Sequence, residues 1–571
     1  MFGDYRLEFV ADICRILIPS LLLGRGLVAL LSPIALPQTL LYLAALVAVI
    51  TSRIQLVRLY QRRDAARRGA VFAPEVKGRW PGNLDLFLEF GQSFYKDYLL
   101  EFQDSLFDEL QSDTINARLL WRDLIITRDH NVVKTVLATG FPDFEKGPKT
   151  KMRLFSLFGN GIFNSDGEQW KAHRALTRPF FARERVRDFE HFDHYSNKVI
   201  DLFRARALSG ESIDVQDVFG RFTLDAAGGF LFGTKKLNTL DDPLPEPGKA
   251  ALGPKGSLTA GDYGDFVNAF EQIQSLVARR TRRIWLWPLY EFFGDSTTPY
   301  NKTIDEWVCA FLCRAPDRRA LEAKKQRGDK KMDADDGSLI DHLADSTSNV
   351  TLIREEVCIF RWSRRKSQLI TAALLTFTLY LLSQHPEVTQ KLRAEIIEVV
   401  PEGAPTFDHV RGMRYWEASV RPSVLPSAPG CKPIYMPGPG VNLMYFDFLI
   451  QRRKDLWGAD ADEFSPERWI DPERLKIMTS DPFKFIPFNA GPRICLGQNF
   501  AYNEASFIMV RILQVFDGFE LRQDDAPAGS TPPASWKHRG GRASIEKAWP
   551  LSAVTLYSKG GMWIRMHPAN N

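Results

Sequence analysis

The segment Pro487–Gly497, PFNAGPRICLG, sets a cysteine, an arginine and two glycines at fixed spacing. Cysteine ligates a metal as its thiolate, which needs surroundings that favour negative charge on sulfur. Gly491 lets the backbone turn sharply and approach a neighbour closely, and Gly497 lets the following helix pack near a bound group. Arg493 can pair with an anionic group, and Phe488 can shield the sulfur of Cys495 from water. Residues 498–516 have a helical pattern, and a helix N-terminus just beyond Cys495 favours anionic sulfur. A lone intracellular cysteine is more often a small buried apolar residue. Here the surrounding pattern points to a thiolate ligand for a transition metal.

Upstream, Trp170-Lys171-Ala172-His173-Arg174 sets a tryptophan and an arginine four residues apart, on one face of a helix. Alone, such a pair is more often a core aromatic and a solvated cation. A third piece, Phe464-Ser465-Pro466-Glu467-Arg468-Trp469, precedes the cysteine loop. In this order the pieces resemble the cytochromes P-450. Phe-x-x-Gly-x-Arg-x-Cys-x-Gly resembles the family's cysteine loop, Trp-x-x-x-Arg its propionate-binding helix, and Phe-x-Pro-x-Arg-Trp the segment whose arginine joins an ion-pair network. The stretches WPGNLDL (Trp80–Leu86), FEKG (Phe144–Gly147) and RRKDLWG (Arg452–Gly458) are most similar to fungal members that hydroxylate alkanes and fatty acids. The similarity covers most of residues 71–570.

The resemblance implies heme b (iron protoporphyrin IX) with Cys495 as thiolate axial ligand. It implies that Trp170, His173, Arg174 and Arg493 meet the propionates, while Phe488, Gly491 and Gly497 shape the loop. It further implies O2 as oxidant, NADPH–cytochrome P-450 reductase as electron donor, and a lipophilic small-molecule substrate. One oxygen atom would enter the substrate and the other leave as water.

Two segments depart from the family pattern. Its central helix carries an acid followed by a threonine, a pair that delivers protons. Leu369 and Ile370 stand at those two positions here, leaving Thr371 as the nearby hydroxyl and the candidate catalytic residue. The preceding RWSRRKSQLI (Arg361–Ile370) brings four cations where a buried helix is expected, and unpaired cations are costly to bury. The second departure is the Glu-x-x-Arg helix. Its one candidate, Trp416–Arg421, has three residues between Glu417 and Arg421 and runs directly into Pro422, so it reads equally as an exposed helical i,i+4 pair. A substituted patch over 358–371 and a local deletion support an alternative function, an inactive membrane-anchored relic or mis-spliced product with impaired oxygen activation.

The elements that must hold these residues are mostly helical in pattern. Val186–Leu202, Tyr263–Arg280, Ala372–Leu382, Glu387–Val399 and Asn503–Phe516 have helical periodicity, and Leu240–Leu258 reads as a surface loop rich in Pro and Gly. Ser552–Met566 reads as a hairpin turning at Lys559-Gly560-Gly561. No internal repeat is visible. The fold class expected is mainly α with small β-sheets, the cytochrome P-450 fold behind an N-terminal transmembrane helix.

From Gly26 to Ser52 the chain carries no charge, long enough for a helix to cross a hydrocarbon core of roughly 30 Å. A signal peptide or a buried core helix fits less well, since the run is long for a signal and no small-residue cleavage pattern follows. Ile16–Leu23 is a weaker, second apolar patch. Six arginines follow within Arg53–Arg68 against three before, which places the bulk of the chain on the cytosolic side, with the endoplasmic reticulum as the expected membrane. Residues 1–70 are read as anchor and basic juxtamembrane stretch, and 71–571 as the haem-binding monooxygenase domain. A net charge of +5 without a long basic block gives no case for nucleic acid as a partner, and six scattered cysteines without a framework read as reduced thiols.

Overall fold

Four helices share the main core: Phe189–Ser209, Val215–Phe232, 371–384 and Gln498–Val515. Phe203, Phe219, Phe222, Leu375, Leu379, Ile508 and Ile512 are fully buried there, packed with residues of strands Phe516–Leu521 and Trp563–Pro568. The computed structural model describes residues 4–31, 37–181, 189–232, 238–312, 371–400, 416–419, 422–427, 430–438 and 440–569. The altered stretch 358–370, with Leu369 and Ile370, lies outside the described residues, as does Arg421.

The remainder is mainly helix with small sheets. A five-stranded sheet runs in the order Thr114–Asn116, Leu124–Thr127, Asn442–Tyr445, Trp416–Ser419, Phe144–Glu145. Glu417 pairs in register with Leu443 in that sheet. It therefore stands on a strand, correcting the reading of Glu417 and Arg421 as a helical pair. The reason is remote in sequence, because pairing with the strand that carries Leu443 holds this segment extended.

Two further expectations are corrected. Leu556–Ser558 pairs with Pro550–Ser552, whereas Trp563–Pro568 pairs with Phe516–Leu521 and Ile213–Asp214. Lys559–Gly561 thus connects two sheets and is no hairpin turn. Gly561 has φ +91° and a Cβ there would overlap the Asp214 carboxylate, so close approach explains it. Within 240–258, Lys255 and Ser257 are buried, and Lys255 donates to Gln274 at 2.5 Å.

The uncharged run 26–52 does not form one helix. Helix α1 spans Tyr5–Leu30 and helix α2 spans Gln38–Arg67, with Pro37 at the head of α2; both are long and apolar enough to cross a membrane. They pack along each other, with the Tyr42 ring lying on Gly24. Their apolar side chains face outward, as at Leu21, Leu22, Leu40 and Val47. The N-terminal part of α1 and the C-terminal part of α2 are bound to the domain. Tyr5 donates to the Glu291 carbonyl at 2.7 Å, and Asp12 accepts from Lys149 at 2.6 Å. In α2, Arg58 pairs with Glu75, Gln61 donates to Asp123 at 2.9 Å, and Asp64 accepts from Tyr435 at 2.9 Å.

Candidate functional site

The cysteine loop folds as its glycines require. Gly491 has φ +64°, and a Cβ on it would stand 1.9 Å from the Leu137 carbonyl oxygen. Only glycine fits there. Residues Gly491–Arg493 form a tight turn, Ile494 donates to the Gly491 carbonyl at 3.1 Å, and Cys495 donates to the Phe488 carbonyl at 2.9 Å. The thiol is partly buried against Phe488, Ala501 and Tyr502. The Phe488 and Tyr502 rings meet at 5.0 Å, so the expected apolar shield lies beside the sulfur. Gly497 caps Gln498–Val515, whose N-terminal end begins three residues after Cys495. A Cβ on Gly497 would meet only Phe181, at 3.8 Å. Cys431 is exposed, in the connection between strands Ser423–Leu425 and Ile434–Met436, with no helix behind it.

The sequence brings Trp170, Arg174 and Arg493 to one place. Trp170 and Arg174 lie on helix Gly167–Thr177, and Arg174 donates to the Ile494 carbonyl at 2.9 Å, one residue before the cysteine. The Arg493 guanidinium stands over the Trp170 ring at 4.7 Å. His173 is wholly buried on the same helix. Sequence reasoning misses two participants. Asp166 accepts from Arg493 at 2.8 Å and from the Lys146 backbone N–H at 3.0 Å, and Phe141 packs on Trp170 at 5.7 Å. Burial would raise the Asp166 carboxyl, but the Lys146 N–H and the charges of Lys146, Arg493 and Lys151 hold it below the usual carboxylate range. Its one sequence signal is its place just before the helix that bears Trp170. Arg468 joins an ion-pair network, as the resemblance implies: it and Arg474 share Asp460, at 3.2 and 3.0 Å.

Thr371, the first described residue of helix Thr371–Gln384, is buried, as is Glu504 of helix Gln498–Val515, whose carboxyl it influences. Burial pushes the Glu504 carboxyl well above the ordinary range, with the Thr371 hydroxyl as the opposing influence. Sequence reasoning misses Glu504 because a glutamate in a helix usually reads as solvated. The available signal is the near-absence of a polar face around it, in Phe500, Ala501, Ala505, Phe507 and Ile508.

Among the described residues no group of three or more His, Cys, Asp or Glu could hold a bare metal ion. One thiolate beside two guanidiniums suits instead a metal that brings its own equatorial ligands and peripheral carboxylates. An iron porphyrin with two propionates has that chemistry, and the residues present fit it.

Comparison with known proteins agrees with this donor set. The family model Cytochrome P450 matches residues 81–421 and 439–536. The chain is 30% identical over 469 residues to Cytochrome P450 52A13 of Debaryomyces hansenii, covering 77% of this chain and 84% of that one. It is 31% identical over 477 residues to Cytochrome P450 52E1 of Candida apicola, with coverage of 79% and 86%. It is also 31% identical over 530 residues to Cytochrome P450 monooxygenase g430 of a Fusarium species, with coverage of 85% and 87%.

Proposed function

The chain belongs to the cytochrome P450 family, and on that premise we propose that it inserts one oxygen atom from O2 into a long-chain fatty acid or alkane, at a haem ligated by Cys495. The family uses haem with a cysteine thiolate, and the haem, when bound, supplies the oxygen activation. The chain's own residues do the rest. Cys495 presents its sulfur at the N-terminal end of helix Gln498–Val515, which favours the thiolate. Phe488 keeps water from that sulfur. Arg493 and Arg174 would hold the propionates, with Trp170 and His173 completing that wall. Thr371 would supply a hydroxyl near the expected place of proton delivery, and Gly491 fixes the loop that carries the cysteine.

The lipophilic substrate fits a chain whose first two helices expose apolar side chains, because such substrates partition into bilayers. Residues 1–70 act as the anchor and 71–571 as the monooxygenase domain. The arginines from Arg53 to Arg68 favour a cytosolic domain on the endoplasmic reticulum, where NADPH–cytochrome P-450 reductase would supply electrons. The observation that carries the reading is that Arg174 reaches the carbonyl of Ile494, the residue before Cys495, while Arg493 stands over Trp170 on the same helix as Arg174.

The test is the reduced carbon-monoxide difference spectrum of the full chain and of Cys495→Ala. The full chain should give a thiolate-type Soret band that the variant lacks. No such band from the full chain, or a band retained in the variant, overturns the assignment. Product formation from a long-chain fatty acid with the reductase and NADPH then decides the substrate class.

A further inference from the structure

Charge divides each of the first two helices into two parts. Every charge of α1 but Arg25 falls within Tyr5–Arg15, and Ile16–Leu30 is otherwise almost wholly apolar. In α2, Gln38–Ser52 carries no charge, and all of its arginines lie from Arg53 onward. At about 1.5 Å per residue each uncharged arm is about 22 Å long, most of a hydrocarbon core of roughly 30 Å. The arms are neighbours. The Tyr42 ring lies on Gly24, where a Cβ would overlap it. Ser20 and Gly24, one turn apart on α1, and Ala45 on α2 are buried, and small residues let helices approach closely in lipid. Leu21, Leu22, Leu40 and Val47 face outward.

The charged parts of both helices meet the same body. Tyr5 donates to the Glu291 carbonyl at 2.7 Å, and its ring lies 4.6 Å from that of Trp287. Asp12 accepts from Lys149 at 2.6 Å. In α2, Gln61 donates to Asp123 at 2.9 Å, and Asp64 accepts from Tyr435 at 2.9 Å. An anchor that crossed the membrane once would leave α1 across the bilayer from Glu291 and Lys149, and neither bond could form. We propose that α1 and α2 form a hairpin that enters and leaves the bilayer by one face, so that the Tyr5 end of α1 lies on the same side as the body.

The distribution of cations agrees. A single crossing by Gly26–Ser52 would separate Arg6, Arg15 and Arg25 from the arginines of Arg53–Arg68. The hairpin gathers Arg6 and Arg15 with that group, as the clustering of cations on one side requires. Arg25 alone remains in an arm, exposed and about 8 Å from the Leu30 end, where its long side chain can snorkel toward headgroups at the tip. The topology rests on the membrane reading proposed above and is independent of the haem chemistry.

The test places one epitope tag before Met1 and another after Asn571 of the full chain, and treats sealed microsomes with protease. Both tags should share one fate, cut together or protected together until detergent opens the vesicles. Opposite fates overturn the hairpin, and so does a chain that alkaline carbonate strips from the membrane. A second measurement reads the contact itself. Carbodiimide joins a carboxylate to an amine that touches it, so it should link Asp12 to Lys149 in the membrane-bound chain, and Asp12→Asn should abolish that link. A wild-type chain without the link overturns the seating of α1 on the body. Neither measurement needs haem or turnover. A failed carbon-monoxide spectrum would therefore leave the topology standing, and opposite fates of the tags would leave the haem reading standing.

Discussion

Arg493 donates to the Asp166 carboxylate at 2.8 Å, with the two side chains 6% and 3% exposed. The pair ties the cysteine loop to the start of the helix that bears Trp170, and Lys151 adds a second cation to Asp166 at 3.2 Å. Removing one partner of a buried pair leaves the other charge stranded, which costs about 3–5 kcal/mol. Asp166→Asn should therefore lower the stability of the haem-free chain by about that much. Haem should recover much of it, because a propionate can take the place of the carboxylate beside Arg493. Thermal unfolding of both proteins with and without haem checks this; an equal loss in the two forms refutes the substitution.

The two loop glycines should differ sharply. Gly491→Ala meets both a left-handed backbone and the Leu137 carbonyl at 1.9 Å. Backbone strain alone is worth about 1–3 kcal/mol, and the overlap adds to it. Gly497 has φ −86°, and a Cβ there would make only an ordinary van der Waals contact with Phe181, so Gly497→Ala should cost less than about 1 kcal/mol in the haem-free chain. Denaturant titration of both variants measures the contrast. Equal effects would mean that the loop does not rest on Leu137.

Much of this site is legible in the order of the residues alone. Cys495, Arg493 and Gly491 sit in a local motif whose members touch through the backbone, so spacing carries them. Trp170 and Arg174 are legible because a helix fixes what lies four residues away. Asp166 and Glu504 are not, since their meaning comes from partners 327 residues away and 133 residues away respectively. Their neighbours along the chain hint at burial or at a helix start, but do not name those partners. Glu417 misleads for the complementary reason. Its spacing to Arg421 suits a helix, but pairing with Leu443, remote in sequence, decides for a strand.

The anchor gives a third prediction. A chain lacking residues 1–70 should leave membranes in part, since α1 and α2 hold the long apolar surfaces. Residual binding is expected from Leu289, Tyr290 and Phe293, which are exposed beside the Tyr5 contact with Trp287. Flotation with vesicles reads the bound fraction of full-length and shortened chains. A full-length chain that stays wholly in the soluble fraction refutes membrane attachment.

Asp225 predicts a pH dependence. It accepts from the Thr239 hydroxyl at 2.9 Å and the Leu240 N–H at 3.1 Å, and burial pushes its carboxyl up to about 6 despite those donors. The unfolded value is about 3.9, so the folded state holds the proton more tightly. Its favourable contribution is full below about pH 4, is lost as pH rises to about 6, and is flat beyond. The total is on the order of 1–3 kcal/mol. Asp225→Asn removes this dependence. Relative to the wild type it should gain Tm between pH 4 and pH 7, on top of any pH-independent offset from the new side chain. A parallel pair of Tm–pH curves would refute the assignment.

Helix α2 ends at Arg67, and four residues later Val71 already donates to and accepts from the backbone of the Ile434 strand region. No slack separates the bilayer segment from the folded body, and α1 grips the same body through Tyr5 and Asp12. A protein held this way is bolted to its support and does not swing on a leash. Whatever tilt the two helices take in lipid is passed straight to the body. The folded body is then kept at one depth and one heading, and lengthening the chain at Gly69 with flexible residues would scramble that aim while leaving the cysteine loop intact.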